Sequence, residues 1–172
     1  SDGVTYLVME YVEGSTLKEI IAQYGPLPIG QVIDYSVQLC YGLAQAHSQQ
    51  IVHKDIKPHN IMIDRNHVVK ITDFGIAQAM NNLTITHNKG ILGSAHYFSP
   101  EQARGERVDF ESDIYSLGVV MYEMVTGKVP FTGDNPVSVA LKHMQEQPAS
   151  LLAQRADVPL ELERIIFKAL EK

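Results

Sequence analysis

The sequence predicts a mainly α-helical fold with small β-hairpins. Apolar residues recur with a 3.6-residue period over long stretches, whereas strand-like alternation is short and confined to residues 4–12 and 61–71. One predicted helix, 112–126, is apolar almost all round (Ile114, Leu117, Val119, Val120, Met121, Met124, Val125), the pattern of a helix buried at the centre of a domain.

In chain order, Ser1-Asp2-Gly3 reads as a turn, and residues 4–12 alternate and then run apolar, as a half-buried strand would. Ser15 or Thr16 can cap a short helix, Thr16 and Glu19 have capping-box spacing, and Gly25-Pro26 ends it. A longer helix follows over 28–48, with a stripe of Ile29, Val32, Ile33, Ser36, Val37, Cys40, Leu43, Ala44 and His47. Residues 61–63 and 68–71 flank a polar turn at 64–67 and read as a hairpin. Residues 76–98 keep no period and collect Asn, Thr, His and Gly, the composition of an exposed loop. A loop of that length in a compact domain is usually functional or mobile. Ser112 caps the central helix and Gly127 stops it; two more helices are expected over about 136–146 and 159–171.

A chain of 172 residues with 45% apolar residues fits one domain with a sizeable core. A net charge of −6 without a Lys/Arg run argues against a general nucleic-acid binder. The single cysteine, Cys40, can form no internal disulfide, so a reducing, cytoplasmic setting is expected. No apolar run is long enough to span a bilayer, and the N-terminus lacks the layout of a signal peptide; an anchor outside these residues is compatible with both. The seven histidines show no metal-binding spacing with one another or with Cys40.

The chemistry concentrates in His53-Lys54-Asp55-Ile56-Lys57-Pro58-His59-Asn60 and, one hairpin later, Asp73-Phe74-Gly75. Asp55 is a candidate base, Lys57 a cation two residues on that could neutralise a transferring phosphate, and Asn60 and Asp73 hard oxygen ligands suited to Mg²⁺ held together with substrate phosphates. Each has a plainer reading: a turn aspartate, a solvated lysine, a capping asparagine. The joint spacing favours the chemistry, since six fixed identities coincide by chance on the order of 10⁻⁸ per start position. Ser99-Pro100-Glu101 closes the segment that Asp73 opens.

These motifs resemble the protein-kinase signature: a catalytic loop, the Asp-Phe-Gly triplet and an Ala-Pro-Glu-like close. The resemblance covers essentially the whole chain. It implies the large, C-terminal lobe of that fold, with residues 1–13 as the last small-lobe strand and hinge, 14–172 as a partial large lobe, the catalytic loop at 53–60 and the activation segment at 73–101. It also implies ATP and Mg²⁺, or Mn²⁺, as cofactors and proteins bearing Ser or Thr as substrates, because Asp-x-Lys-Pro-x-Asn is the serine/threonine form. Glu10 to Val12 would bind adenine through backbone groups, Met9 would gate its pocket and Met62 would lie beneath it. His53 and Phe74 would stack in an internal spine anchored by Asp113, and 93–98 would bind the acceptor, with Ser94 reaching Asp55 and Lys57. The stretch from Gly90 to Gly105, with Thr84 and Thr86 as candidate autophosphorylation sites, most resembles the bacterial membrane-anchored kinases that carry PASTA repeats.

Three departures stand out. Lys54 replaces the usual arginine, offering a phosphate a point charge in place of a bidentate fork, which predicts weaker coupling of Thr84 or Thr86 phosphorylation to activity. Ser94 replaces a common threonine. The chain ends before the arginine that the resemblance would pair with Glu101, so Glu101 is expected to lack a buried partner. The 172 residues also contain no G-x-G-x-x-G loop and no Val-Ala-Ile-Lys-like strand. Two expectations follow: the isolated chain has little activity, and apolar surface near Leu7, Met9, Met62 and Phe74 favours self-association in the absence of the small lobe. The alternative is a non-catalytic, pseudokinase-like scaffold.

Overall fold

The computed structural model describes residues 8–74 and 93–172. The chain enters through a short strand, β1 (Gly14–Thr16), and turns at Thr16 into helix α1 (Leu17–Tyr24). The predicted capping box forms there: Thr16 Oγ1 accepts from the Glu19 amide at 3.2 Å, and the Glu19 carboxylate accepts from the Thr16 amide at 2.8 Å. Gly25, with φ of 70°, lets the chain leave the helix and begin α2 (Ile29–Ser48) four residues later. Strands β2 (Ile61–Asp64) and β3 (Val69–Ile71) form the expected hairpin, and β1 adds to its other edge, giving an antiparallel sheet of order β1-β2-β3.

Five helices follow: α3 (Pro100–Arg104), α4 (Phe110–Thr126), α5 (Pro136–Gln145), α6 (Leu151–Gln154) and α7 (Leu160–Ala169). The apolar α4 is buried along nearly its whole length, as its composition requires, and α2, α6 and α7 pack around it. Leu39 and Leu43 of α2, Leu151 of α6, and Ile166 with Leu170 at the end of α7 join the α4 side chains in one core. Gly118 allows the close approach of α7, because a Cβ there would lie 2.9 Å from that of Ala169. Gly127 ends α4 in the left-handed conformation, φ 73°.

Several expectations are corrected. Residues 8–12 form no strand and join no ladder with the described strands. The buried stripe of α2 is rotated from the predicted one. Tyr35 and Leu39 are buried while Ile33, Val37 and Cys40 are exposed, because Tyr35 reaches the β2–β3 turn and bonds His67 at 2.6 Å. Ser112 does not cap α4. The helix begins at Phe110, and Ser112 turns its hydroxyl to the Glu101 carboxylate from inside the first turn. The described end of the predicted 76–98 loop is largely not exposed, since Ala95 and Tyr97 are buried and only Gly93 is exposed among residues 93–98. Helices α3 and α6 were not anticipated, being too short for a period to register. Among the described residues no helix is long and apolar enough to cross a membrane.

Candidate active site

The site is assembled where the end of α2, the β2–β3 hairpin and the first turn of α4 meet. Asp113, 1% exposed, occupies that first turn, where the helix dipole favours an anion. Its Oδ2 accepts from the His53 amide at 2.8 Å and pairs with His47 Nε2 at 2.8 Å, and its Oδ1 accepts from the Lys54 amide at 2.7 Å. These bonds hold Lys54 at φ 71°, a conformation that costs a non-glycine residue roughly 1–2 kcal/mol. From the other side, Gln102 of α3 donates to the Lys54 carbonyl at 2.8 Å while its carbonyl oxygen closes the Ser99 capping box. The backbone ahead of Asp55 is therefore clamped by two helices.

His53 is fully buried and packs against Phe74, the partner that the resemblance implied, with ring centroids 4.6 Å apart and planes tilted by 52° in place of a parallel stack. Its Nε2 lies 2.9 Å from the Thr72 carbonyl, and its Nδ1 accepts from the Asp55 amide at 3.2 Å, which assigns the proton to Nε2. Thr72 in turn donates to the Asn60 carbonyl, from its amide at 2.9 Å and its hydroxyl at 3.2 Å. One continuous network thus joins Asp113, His53, Thr72 and Asn60.

Asp55 sits at its open end. Its Oδ2 accepts from Lys57 Nζ at 2.6 Å and from Asn60 Nδ2 at 2.9 Å. Its Oδ1 takes no hydrogen bond from a described residue and is not buried. Asn60 spends its amide on Asp55, bonding the backbone carbonyl as well at 2.9 Å, which leaves its own Oδ1 uncommitted. Asp73 follows Thr72 at φ 60°, exposed, with its carboxylate unpaired among the described residues. Two hard oxygens without protein partners fit a divalent cation that keeps other ligands from water or phosphate. A self-sufficient metal cage is absent among the described residues, which contain no cluster of three His, Cys, Asp or Glu.

Ser94 Oγ accepts from Lys57 Nζ at 3.2 Å, so the predicted link to Lys57 is present; a bond to Asp55 is not found among the described residues. Glu101 is half-buried and accepts from Ser112, so it has a partner, though a neutral one. The hinge candidates lie apart. Glu10 pairs with Lys70 at 2.6 Å, Glu13 pairs with Arg65 at 2.5 Å, and Val12 and Met62 are half-buried without polar ties to the catalytic loop. Met9 is 65% exposed and Phe74 37%. Thr84, Thr86 and Leu7 lie outside the described residues.

Reading the sequence missed one cluster. Glu123, 2% exposed, accepts from Lys18 Nζ at 2.7 Å and from the Tyr97 hydroxyl at 2.7 Å. The signal was available: a single carboxylate within the apolar run of 117–125.

Comparison with known proteins gives the family. The protein kinase domain family matches residues 1–171. A probable serine/threonine-protein kinase of Clostridium perfringens is 50% identical over 99% of this chain and 25% of its own length. The serine/threonine-protein kinase PrkC of Bacillus subtilis is 51% identical over 99% of the chain and 26% of its own. PknB of Mycolicibacterium smegmatis, a serine/threonine-protein kinase, is 47% identical over 97% of the chain and 27% of its own. The chain thus spans about a quarter of the length of these relatives.

Proposed function

The chain belongs to the protein kinase domain family, and on that footing we propose that it supplies the acid–base and metal-holding half of a serine/threonine protein kinase. The reaction is transfer of the γ-phosphate of ATP to Ser or Thr hydroxyls of proteins. The observation that carries this reading is the Asp55 carboxylate, with one oxygen fixed by Lys57 and Asn60 and the other left free.

In this mechanism the acceptor hydroxyl lies against Asp55 Oδ1. Its oxygen forms the new bond to the γ-phosphorus as the bond to the β-phosphate oxygen breaks, ADP leaves, and the hydroxyl proton passes to Asp55. Lys57, already bridging Asp55 and Ser94, places its cation where the transferring phosphoryl group passes. Asn60 and Asp73 would hold Mg²⁺, or Mn²⁺, which when bound neutralises phosphate charge. Ser94 and its neighbours through residue 98 receive the acceptor, and Glu10 to Val12, with Met62, receive adenine. Thr84 and Thr86 are the proposed phosphorylation sites of the activation segment (73–101), and residues 1–13 form the proposed hinge region of a partial large lobe (14–172).

The setting is cytoplasmic, with no nucleic-acid partner. Because the 172 residues contain no Gly-rich loop and no phosphate-binding lysine strand, they transfer phosphate slowly by themselves and self-associate through the exposed surface near Met9 and Phe74. The intact Asp55, Asn60 and Asp73 set weighs against the scaffold alternative.

The test is Mg·ATP-dependent transfer to a Ser/Thr acceptor by an N-terminally extended chain and its Asp55→Asn variant. The variant is expected to lose about 10²–10⁴ in rate. Undiminished transfer by Asp55→Asn would remove Asp55 from the chemistry; no transfer by either would favour the scaffold.

A further inference from the structure

Glu123 is a buried charge in the middle of the helix at the centre of the core. An isolated carboxylate there would be costly, so its partners determine whether α4 can carry it. Each oxygen has one partner from a different part of the molecule. Oε1 accepts from Lys18 of α1, whose side chain is 38% exposed, and Oε2 accepts from the hydroxyl of Tyr97, which is 5% exposed. Burial first, and the Glu123 charge second, hold the Tyr97 phenol well above its ordinary pKa, so it remains a donor throughout the working pH range.

Tyr97 belongs to the segment proposed to receive the acceptor. Its carbonyl accepts from Ser116 of α4 at 2.8 Å, and its amide donates to the Ser94 carbonyl at 3.0 Å. Ser94 receives Lys57, which holds Asp55. A continuous path of polar contacts therefore runs from Lys18 through Glu123, Tyr97, Ser94 and Lys57 to Asp55. Lys18 is also near the catalytic loop in space. Helix α1 packs on the turn Pro58–Asn60, and the His59 imidazole is held below its ordinary pKa by burial and then by the Lys18 and Lys57 cations.

We propose that Lys18 is a positioning residue for the protein acceptor: by pairing with Glu123 it fixes Tyr97, and through Tyr97 the height of the 93–99 segment against Asp55. This rests on the kinase reading above and names a residue outside the catalytic motifs. A lysine serving only to neutralise a core charge would affect stability and both substrates alike. One acting through Tyr97 affects chiefly the acceptor, because the links nearest Lys18, Glu123 and Tyr97, touch none of the proposed adenine or metal groups, and the path meets the metal-holding Asn60 only at its far end, through Asp55.

Steady-state kinetics of the extended kinase, with ATP and a Ser/Thr peptide varied in turn, tests this. Lys18→Met is expected to raise the peptide KM on the order of tenfold, the effect of losing one charge-assisted hydrogen bond, with the ATP KM within about twofold of wild type. Lys18→Arg should restore the peptide KM. Tyr97→Phe should act in the same direction, and the double variant Lys18→Met/Tyr97→Phe by less than the product of the two. Should Lys18→Met fail to fold, Lys18→Gln, which removes the charge and keeps a polar group beside Glu123, takes its place in the same comparison. An unchanged peptide KM in a folded variant, or peptide and ATP KM rising together, would overturn the relay while leaving the kinase reading in place. Absence of transfer by the wild-type kinase would overturn both.

Discussion

The proposed catalytic loop and the proposed hinge edge are built on opposite principles. Around Asp55 every backbone turn is over-determined. Asp113 binds two consecutive amides, Gln102 holds the carbonyl that follows them, and His53 and Asn60 are both tied to Thr72, all in a buried or half-buried setting. At the hinge edge, Glu10 and Glu13 reach Lys70 and Arg65 through ion pairs whose side chains are 36–75% exposed. Buried hydrogen bonds impose geometry because breaking one strands a desolvated group, whereas exposed ion pairs exchange freely with water. The lobe fixes the groups proposed to move a proton and leaves adaptable the strip proposed to meet nucleotide.

The largest expected effect comes from removing the anchor of the first region. Asp113→Ala strands the His53 and Lys54 amides in a buried site and releases the left-handed turn at Lys54. Urea unfolding should show a loss of about 3–5 kcal/mol. A loss below about 1 kcal/mol would mean that the catalytic loop is held chiefly by apolar packing, and the contrast with the hinge would disappear.

How much of this could be read from sequence follows the same division. The hairpin and the central helix were legible because each rests on a local pattern, a polar turn and a nearly unbroken apolar run, and the 53–60 loop stood out by its fixed spacing. The roles of Asp113, His53 and Phe74 were legible only through resemblance, since nothing local says that residue 113 will meet residue 53. The α2 stripe was misjudged because its rotation is set by Tyr35 reaching His67, a tertiary contact that apolar periodicity does not encode. Ser112 looked like a cap because serine and aspartate are both favoured there, and residue type alone does not choose between Ser112 and Asp109, which precedes α4 without a side-chain capping bond. Lys18 and Tyr97 gave no sign at all; only their partner Glu123, a charge in an apolar helix, was out of place on the page.

A second buried polar group lacks the full set of partners that Asp113 enjoys. His143, on α5, is completely buried; its Nδ1 lies 2.9 Å from the Tyr115 hydroxyl, and its Nε2 has no partner among the described residues. Burial above all, opposed by the His96 backbone and reinforced by the nearby Lys172 cation, pushes its pKa down from 6.5 to about 4. A group depressed in the fold binds its proton more readily when unfolded. Its contribution is therefore present above pH 6.5 and is lost as pH falls from 6.5 toward 4. Between pH 7.5 and 5 the unfolding free energy should drop by about 2 kcal/mol from this group, and His143→Gln should flatten that part of the profile. An equally steep profile in the variant would assign the acid sensitivity to other groups.

The smallest expected effect tests the hinge side. Lys70 of β3 meets Glu10 at 2.6 Å, with their side chains 36% and 67% exposed. At such exposure the Coulomb gain is small, salt screens it, and ordering two long side chains offsets much of the remainder. Lys70→Ala should change unfolding free energy by less than about 0.5 kcal/mol, and the difference should shrink further as salt is raised from low to molar concentration. A loss above about 1.5 kcal/mol that persists in high salt would instead show that residues 10–13 are held as firmly as the catalytic loop. The adaptability assigned to that edge would then be lost, because a strip fixed to β3 with that strength could not adjust to a nucleotide without giving up the pair.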